Sequence, residues 1–167
     1  GRTETVWTFG DFNFDIVLDG TLRWADSGNT YVTYATPVSN NEWVNVTFTR
    51  TDSELSIAVN GGTPATSSTT GDAPSGLFNI GLPANDEGFD GYLSEFYFVD
   101  GQELEPTVFG TEFDDTGWGP YEPDLIKPAI ANAGGFGTNG FYLPFNPTAT
   151  GVKSFAVTPT EEGVIDN

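Results

Sequence analysis

The acidic residue that most invites a chemical role is Glu95, which lies in the aromatic segment Phe89–Phe98. A carboxylate among aromatic side chains must accept hydrogen bonds or become neutral through a rise in its pKa. Such a segment is typical of three settings: the wall of an active site, a carbohydrate-binding surface and a sheet core. Glu95 is therefore the first residue whose role has to be explained.

Glycoside hydrolysis is the reaction that carboxylates suggest, since it needs two of them about 5–10 Å apart across a cleft. Glu42, Glu103 and Glu105 are available, but Glu103 and Glu105 fall in a turn beside Pro106. The strand pattern E-x-D-x-E does not occur, and without histidine or cysteine the usual nucleophile–base pairs are excluded. We therefore expect a protein that is not an enzyme, with a glycan hydrolase as the remote alternative.

Composition limits the partners and the metals. The 167 residues include 24 acidic and 5 basic ones, and the net charge of −19 repels nucleic-acid phosphates and anionic membranes. Because cysteine, histidine and methionine are all missing from the sequence, any metal has to bind to oxygen, which points to calcium. No apolar run reaches the roughly 20 residues of a membrane span. We expect neither a nucleic-acid partner nor membrane insertion.

Two acidic stretches are candidates for a calcium site. Asp11, Asn13 and Asp15 follow the spacing of a calcium loop, but such a loop needs glycine at the sixth place, where Ile16 stands. A solvated strand face is the better interpretation there. The second stretch, residues 83–90, has no basic residue and is called the acidic loop below. Its candidate calcium ligands are Asn85, Asp86, Glu87 and Asp90. The alternative is a solvated acidic turn.

The elements that position these residues are strands, because apolar and polar residues alternate and turn residues separate the runs. In residues 11–18 one face would carry Phe12, Phe14, Ile16 and Leu18, and the opposite, acidic face would be wet. Asn60–Gly61 predicts a tight turn between strands. Further expected core positions are Val44, Val46, Phe48, Leu55, Ile57, Val59, Phe96 and Phe98. No apolar pattern at helical spacing extends over three turns, so we expect an all-β protein without helices.

Four segments follow one another in a recognisable order, which is Trp43–Arg50, Leu55–Gly61, Ile80–Gly81 and Phe89–Phe98. Their order and spacing resemble the laminin-G-like, concanavalin A-like jelly-roll domain. The resemblance implies a two-sheet antiparallel β-sandwich, with rim loops that bind calcium or glycans. It also implies a structural role for Glu95, tied to neighbouring backbone or hydroxyl groups in the sheet.

The expected domain organisation is a sandwich over residues 1–110 and an irregular arm over 111–167. The arm holds a short strand near 141–146, and we expect it to lead to a further domain of a longer polypeptide. Residues 111–140 suit an extended strap that lays single apolar anchors onto a neighbouring copy, which predicts an oligomer. The anchors are Trp118, Tyr121, Leu125, Ile126, Ile130 and Phe136. In the alternative, the arm folds back onto its own sandwich.

A second resemblance concerns the segments Phe96–Gly110, Asp115–Pro120 and Gly137–Phe145. They are similar to a module of virion proteins from tailed phages, particularly marine ones, where it occurs in long appendage or capsid-associated proteins. The resemblance implies a non-enzymatic structural or adhesion domain of a virion, in a fibre, a spike or a capsid decoration. Its partners would be other copies of the chain, other virion proteins and a host-surface glycan. A secreted bacterial carbohydrate-binding lectin is the alternative.

Overall fold

The computed structural model describes residues 3–25, 31–68, 74–81, 88–113, 117–145 and 156–157. In chain order its elements are β1 (Glu4–Phe9), β2 (Phe12–Ile16), β3 (Leu22–Ala25), β4 (Tyr31–Tyr34), β5 (Val46–Arg50), β6 (Glu54–Val59), β7 (Ala65–Ser68), β8 (Phe78–Ile80), β9 (Phe96–Phe98), a 3-10 turn (Pro106–Val108), β10 (Gly110–Phe113), β11 (Gly117–Pro120), α1 (Pro123–Ala133), β12 (Phe141–Leu143) and β13 (Ala156–Val157). The chain divides into two compact units. The first is Gly1–Asp90 with Ser154–Thr158, and the second is Gly91–Lys153 with Pro159–Asn167.

The first unit is built from two antiparallel sheets. One has six strands in the order β13-β8-β1-β2-β3-β4, and the other has three in the order β5-β6-β7. Aromatic rings pack the sheets together, since the Phe48 ring of β5 lies with its centroid 4.4 Å from Phe14, 5.4 Å from Trp7 and 5.5 Å from Trp24. The prediction of a two-sheet antiparallel β-sandwich is confirmed.

The strands β5 and β6 form where alternation predicted them, and they pair antiparallel. The turn after β6 has φ values of 49° at Asn60 and 64° at Gly61, which are the two positive values of a type I′ turn. The Gly62 N–H closes the turn by donating to the Val59 carbonyl over 2.9 Å. Of the further expected core positions, Leu55, Ile57 and Val59 are buried, whereas Val44, Val46, Phe48, Phe96 and Phe98 are half-buried.

The assignment of residues 11–18 to one apolar and one wet face is correct at Phe12 and Phe14, which are buried. It is wrong at Asp15, which is only 2% exposed, because neighbouring strands supply hydrogen-bond donors to its carboxylate. It is also wrong at Leu18, which is 60% exposed. Strand β2 ends at Ile16, so Leu18 no longer takes part in the alternation.

The second unit contains two small antiparallel sheets, β9 with β12 and β10 with β11. In the β10–β11 hairpin each strand contributes an aromatic ring that covers a glycine of the other strand. A Cβ atom at Gly110 would lie 2.3 Å from the Trp118 ring, and one at Gly119 would lie 2.9 Å from the Phe113 ring. The hairpin therefore requires glycine at Gly110, where a Cβ would also lie 2.3 Å from the Gly119 carbonyl oxygen, whereas at Gly119 only the exposed Phe113 ring would have to move.

The expectation that the chain has no helix is wrong, because α1 spans Pro123–Ala133. Pro123 stands at the helix start, where its missing N–H costs nothing, and Gly134 ends the helix with a φ of 136°. Ile126 and Ile130 lie one turn apart and are fully buried. Two buried residues in 11 are a weak periodic signal, and the internal Pro128 reads as a helix breaker, which is why the pattern was missed. In the described part of the chain, no helix is long and apolar enough to cross a membrane.

The glycine-rich loop after α1 is tied to the turn that follows β9. The Asp100 N–H donates to the Phe136 carbonyl over 2.8 Å, and the Asn139 amide donates to the Asp100 carboxylate over 2.8 Å. Gly137 has a φ of 81°, and a Cβ there would lie 2.0 Å from the Asp100 carbonyl oxygen. In the part of the arm that the structure describes, the hairpin β10–β11, helix α1 and strand β12 follow one another within the second unit. The strand expected near 141–146 corresponds to β12.

Candidate functional site

Glu95 adopts an unusual backbone conformation directly before β9, with a φ of 56°. Left-handed backbone costs a residue with a side chain about 1 kcal/mol, so surrounding contacts must fix it. Leu93 and Phe96 are both apolar but three residues apart, so strict alternation is broken between them at the position of Glu95. The left-handed residue takes the place of an extended one and re-aims the carboxylate.

The Glu95 carboxylate accepts two phenolic hydrogen bonds. Tyr142 donates to Oε2 over 2.5 Å and Tyr97 donates to the same oxygen over 3.3 Å. The tyrosines face each other across the β9–β12 pair, with ring centroids 4.6 Å apart and planes at 26°. Sequence reasoning did not find Tyr142, because it lies 47 residues from Glu95 and only the strand pairing brings it near.

The electrostatics of this cluster keep both phenols protonated. Burial, followed by the hydrogen bond to Glu95, raises the pKa of Tyr142 to about 12. Burial, followed by the charges on Tyr142 and Glu95, also raises the pKa of Tyr97 well above its usual value of 10.0. Both hydroxyls therefore remain hydrogen-bond donors at neutral pH and cannot act as bases there.

The rings of the cluster have further neighbours in the second unit. The Lys127 ammonium lies 4.2 Å from the centroid of the Tyr142 ring, and the Phe109 ring lies 5.8 Å from that of Tyr97. Contact with a cation stabilises an aromatic ring by about 0.5–1 kcal/mol at exposed sites. The arrangement suits a structural anchor that joins β9, β12 and α1 more than it suits a reacting centre.

A second carboxylate, Asp15, lies in the first unit on the face of β2 opposite the aromatic core, and it is buried where Glu95 is half-buried. Asp15 Oδ1 accepts from the Thr5 hydroxyl over 2.8 Å, and Oδ2 accepts from Asn13 over 2.6 Å and from Arg23 over 2.7 Å. Thr5 and Arg23 are the register partners of Asp15 on the two adjacent strands. Thr5, Asn13, Asp15 and Arg23 thus form a hydrogen-bonded group across β1, β2 and β3, called the polar row below. The calcium-like spacing of Asn13 and Asp15 is explained by their place in this row.

The acidic loop can be followed only in part. Asn85, Asp86 and Glu87 lie outside the described residues, and Asp90 is exposed with its N–H donating to Glu4 Oε2 over 3.1 Å. Within the described ranges, no group of three or more acidic side chains could hold a metal ion. The calcium site stays a prediction.

The other carboxylates considered from the sequence are all on the surface. Glu42 is exposed in the first unit, in the loop before β5, and Glu103 and Glu105 are exposed in the second unit, between β9 and the 3-10 turn. None of the three lies in the enclosed setting that a catalytic carboxyl group usually occupies.

Trp43 and Tyr92 have the most exposed aromatic side chains among the described residues. Trp43 is 70% exposed in the first unit and Tyr92 is 85% exposed in the second. Trp43 precedes β5, which begins at Val46. Exposed aromatic rings of this size are enriched where proteins bind other molecules.

Fold and site together define a β-sandwich protein in which Asp15 and Glu95 are engaged in hydrogen bonds and Trp43 and Tyr92 expose aromatic rings. The Laminin_G_3 family model, described as the concanavalin A-like lectin/glucanases superfamily, matches residues 2–108. The chain belongs to this family. No curated protein and no solved structure matches it. Carbohydrate binding is the function that this membership supports.

Proposed function

We propose that this chain is a non-enzymatic carbohydrate-binding domain that acts in adhesion. Membership of a lectin and glucanase superfamily supports the ligand class. The observation that favours a lectin over a glucanase is that Asp15 and Glu95 are both engaged in hydrogen bonds. Asp15 accepts three side-chain hydrogen bonds and Glu95 accepts two.

A glycosidase acid must exchange its proton with the substrate, and a nucleophile or base must reach the sugar. Asp15 pairs with the Arg23 guanidinium and its side chain is only 3% exposed, so neither role suits it. Glu95 is held by two tyrosine hydroxyls that stay protonated at neutral pH. These contacts favour binding without turnover.

The test measures binding and hydrolysis on the same sample. The purified chain is applied to a glycan array, and every glycan that binds is then incubated with the protein and assayed for new reducing ends. We expect binding with no release above that of a protein-free control. Release of reducing ends that is lost in Glu95→Gln would show that the domain is a hydrolase.

We further propose that the domain works on a virion, with other copies of the chain or other virion proteins as partners. This rests on the phage-module resemblance of residues 96–110, 115–120 and 137–145. The paired strands β9 and β12 and the Asp100–Asn139 contact join the first and last of these segments within the second unit. Mass spectrometry of purified virions should detect the chain, and its consistent absence would favour a secreted lectin.

The oligomer remains a proposal with a direct measurement. Light scattering of the whole chain should give a multiple of its 17.9 kDa. Deletion of residues 111–167 should remove the association if the segment contacts a neighbouring copy. The deletion also removes β12, the pairing partner of β9. Circular dichroism must therefore show that the shortened chain is still folded. A whole chain that is monomeric at all concentrations would contradict the proposal.

A further inference from the structure

We propose that the Trp43 loop, residues Ser39–Trp43, is the surface that contacts an uncharged glycan. The inference rests on the carbohydrate-binding function proposed above and gives it a location and a ligand class. It starts from the exposure of Trp43, which is 70%, in a unit where Trp7 and Trp24 are buried. An indole left in water by its own fold offers a large flat apolar face.

The face of an indole suits one side of a pyranose ring. Its π electrons make the face partly negative, and the axial C–H groups of a glucose-type or galactose-type ring present a partly positive, apolar surface. Stacking removes apolar area of both partners from water, which is favourable, and leaves the equatorial hydroxyls at the rim of the contact. A sugar needs polar partners at that rim.

The rest of the loop supplies such partners. Ser39, Asn40, Asn41 and Glu42 are all exposed beside Trp43. An asparagine amide donates and accepts hydrogen bonds at once, and a carboxylate accepts two, which matches neighbouring sugar hydroxyls that do both. An aromatic ring next to a few polar groups is the usual composition of a small-molecule contact surface.

Hydrogen bonds fix the loop at both ends. Before it, the Val38 N–H donates to the Gly20 carbonyl over 2.9 Å. After it, the Asn45 N–H donates to Asn60 Oδ1 over 2.8 Å, and the Asn60 N–H donates to the Asn45 carbonyl over 2.9 Å. A loop held in this way loses little conformational entropy when it binds, which raises the affinity.

Charge selects among glycans. Residues 39–43 carry one acidic and no basic side chain, and the whole chain has a net charge of −19. Sulfated, sialylated and uronic glycans would approach against this potential without a cation to pair with. The ligand class is therefore a neutral hexose-containing glycan.

The experiment compares the whole chain with Trp43→Ala, Trp43→Phe and the matched control Tyr92→Ala, which removes a still more exposed aromatic ring outside the loop. Each protein is tested on an array that carries neutral glycans beside their sulfated and sialylated forms. Melting temperatures are measured first, and all three variants should stay within about 2 °C of the parent because neither ring packs in a core.

We expect the parent to bind neutral glycans, Trp43→Ala to lose about tenfold or more in affinity, Trp43→Phe to lose less, and Tyr92→Ala to bind like the parent. Binding that Trp43→Ala leaves unchanged overturns the inference, while the carbohydrate-binding function stands. A preference for the sulfated or sialylated forms overturns the ligand class. A parent chain that binds no glycan on the array contradicts both the inference and the proposed function.

Discussion

Replacement of Asp15 by alanine tests whether the buried polar row of the first unit holds the sandwich together. The substitution removes the acceptor of three hydrogen bonds, donated by Thr5, Asn13 and Arg23. It leaves the core side of β2 untouched, because Phe12 and Phe14 point to the other face of the sheet. The measured change in the free energy of unfolding therefore reports on the polar row.

The magnitude follows from the burial of each donor. The buried Thr5 hydroxyl, left without its acceptor, costs about 1–2 kcal/mol, and the half-buried Asn13 amide costs about 0.5–1 kcal/mol. A charged partner would cost more, but the Arg23 side chain is 37% exposed and water can solvate it, which reduces its share to about 1 kcal/mol. The sum is a loss of about 2.5–4 kcal/mol. Since domains of this size are stable by about 5–15 kcal/mol, the variant should still fold at 25 °C.

Urea unfolding followed by circular dichroism measures this loss. Asp11→Ala is the matched control, because Asp11 is an exposed acid in the turn between β1 and β2. Its removal should change the free energy of unfolding by less than about 0.5 kcal/mol. In the double variant Asp15→Ala/Arg23→Ala, the total should fall short of the sum of the single variants by about 1 kcal/mol, since the two side chains share one contact. If Asp15→Ala is as stable as Asp11→Ala, the reasoning that this row stabilises the sheet is refuted.

The remaining predictions concern the second unit and the acidic loop. Gly137→Ala should lower the free energy of unfolding in urea by several kcal/mol, because the new Cβ would overlap the Asp100 carbonyl. The control Gly101→Ala, at a φ of 81° with open space around it, should cost only about 1 kcal/mol. Equal losses would contradict the steric argument. The contribution of Tyr142 to stability should be complete below pH 10 and be lost as the pH rises toward 12, because folding holds its phenol in the protonated form while the unfolded chain ionises at about 10.0. In Tyr142→Phe the fall in stability between pH 10 and pH 12 should be smaller than in the parent. A pH dependence of stability that is the same in both proteins would contradict this role of Tyr142. Ile130→Ala should lower the free energy of unfolding in urea by about 2–5 kcal/mol, because Ile130 is fully buried. Leu125→Ala, on the exposed side of the same helix, should lower it by less than about 0.5 kcal/mol. Similar losses would show that α1 does not pack through its isoleucines. If the acidic loop binds calcium, millimolar calcium should raise the melting temperature and a chelator should reverse the rise, and an unchanged melting temperature would remove the site.

The sequence by itself determined the features that depend on near neighbours. Alternation marked the strands that carry Phe14, Leu55 and Ile57, because successive side chains of a strand point to opposite faces whatever the strand pairs with. The turn at Asn60–Gly61 was predictable for the same reason, since the positive φ values it needs are a property of those two residue types.

Only the tertiary structure decided which side chains meet. Asp15 is buried because Thr5 and Arg23 stand beside it on adjacent strands, and Glu95 is held because the β9–β12 pairing brings up Tyr142. Local pattern contains no register, so it assigned Asp15 to water and left the role of Glu95 to a resemblance. Helix α1 escaped detection because its stability depends on where Ile126 and Ile130 are buried, and burial is set by contacts that are distant in the chain.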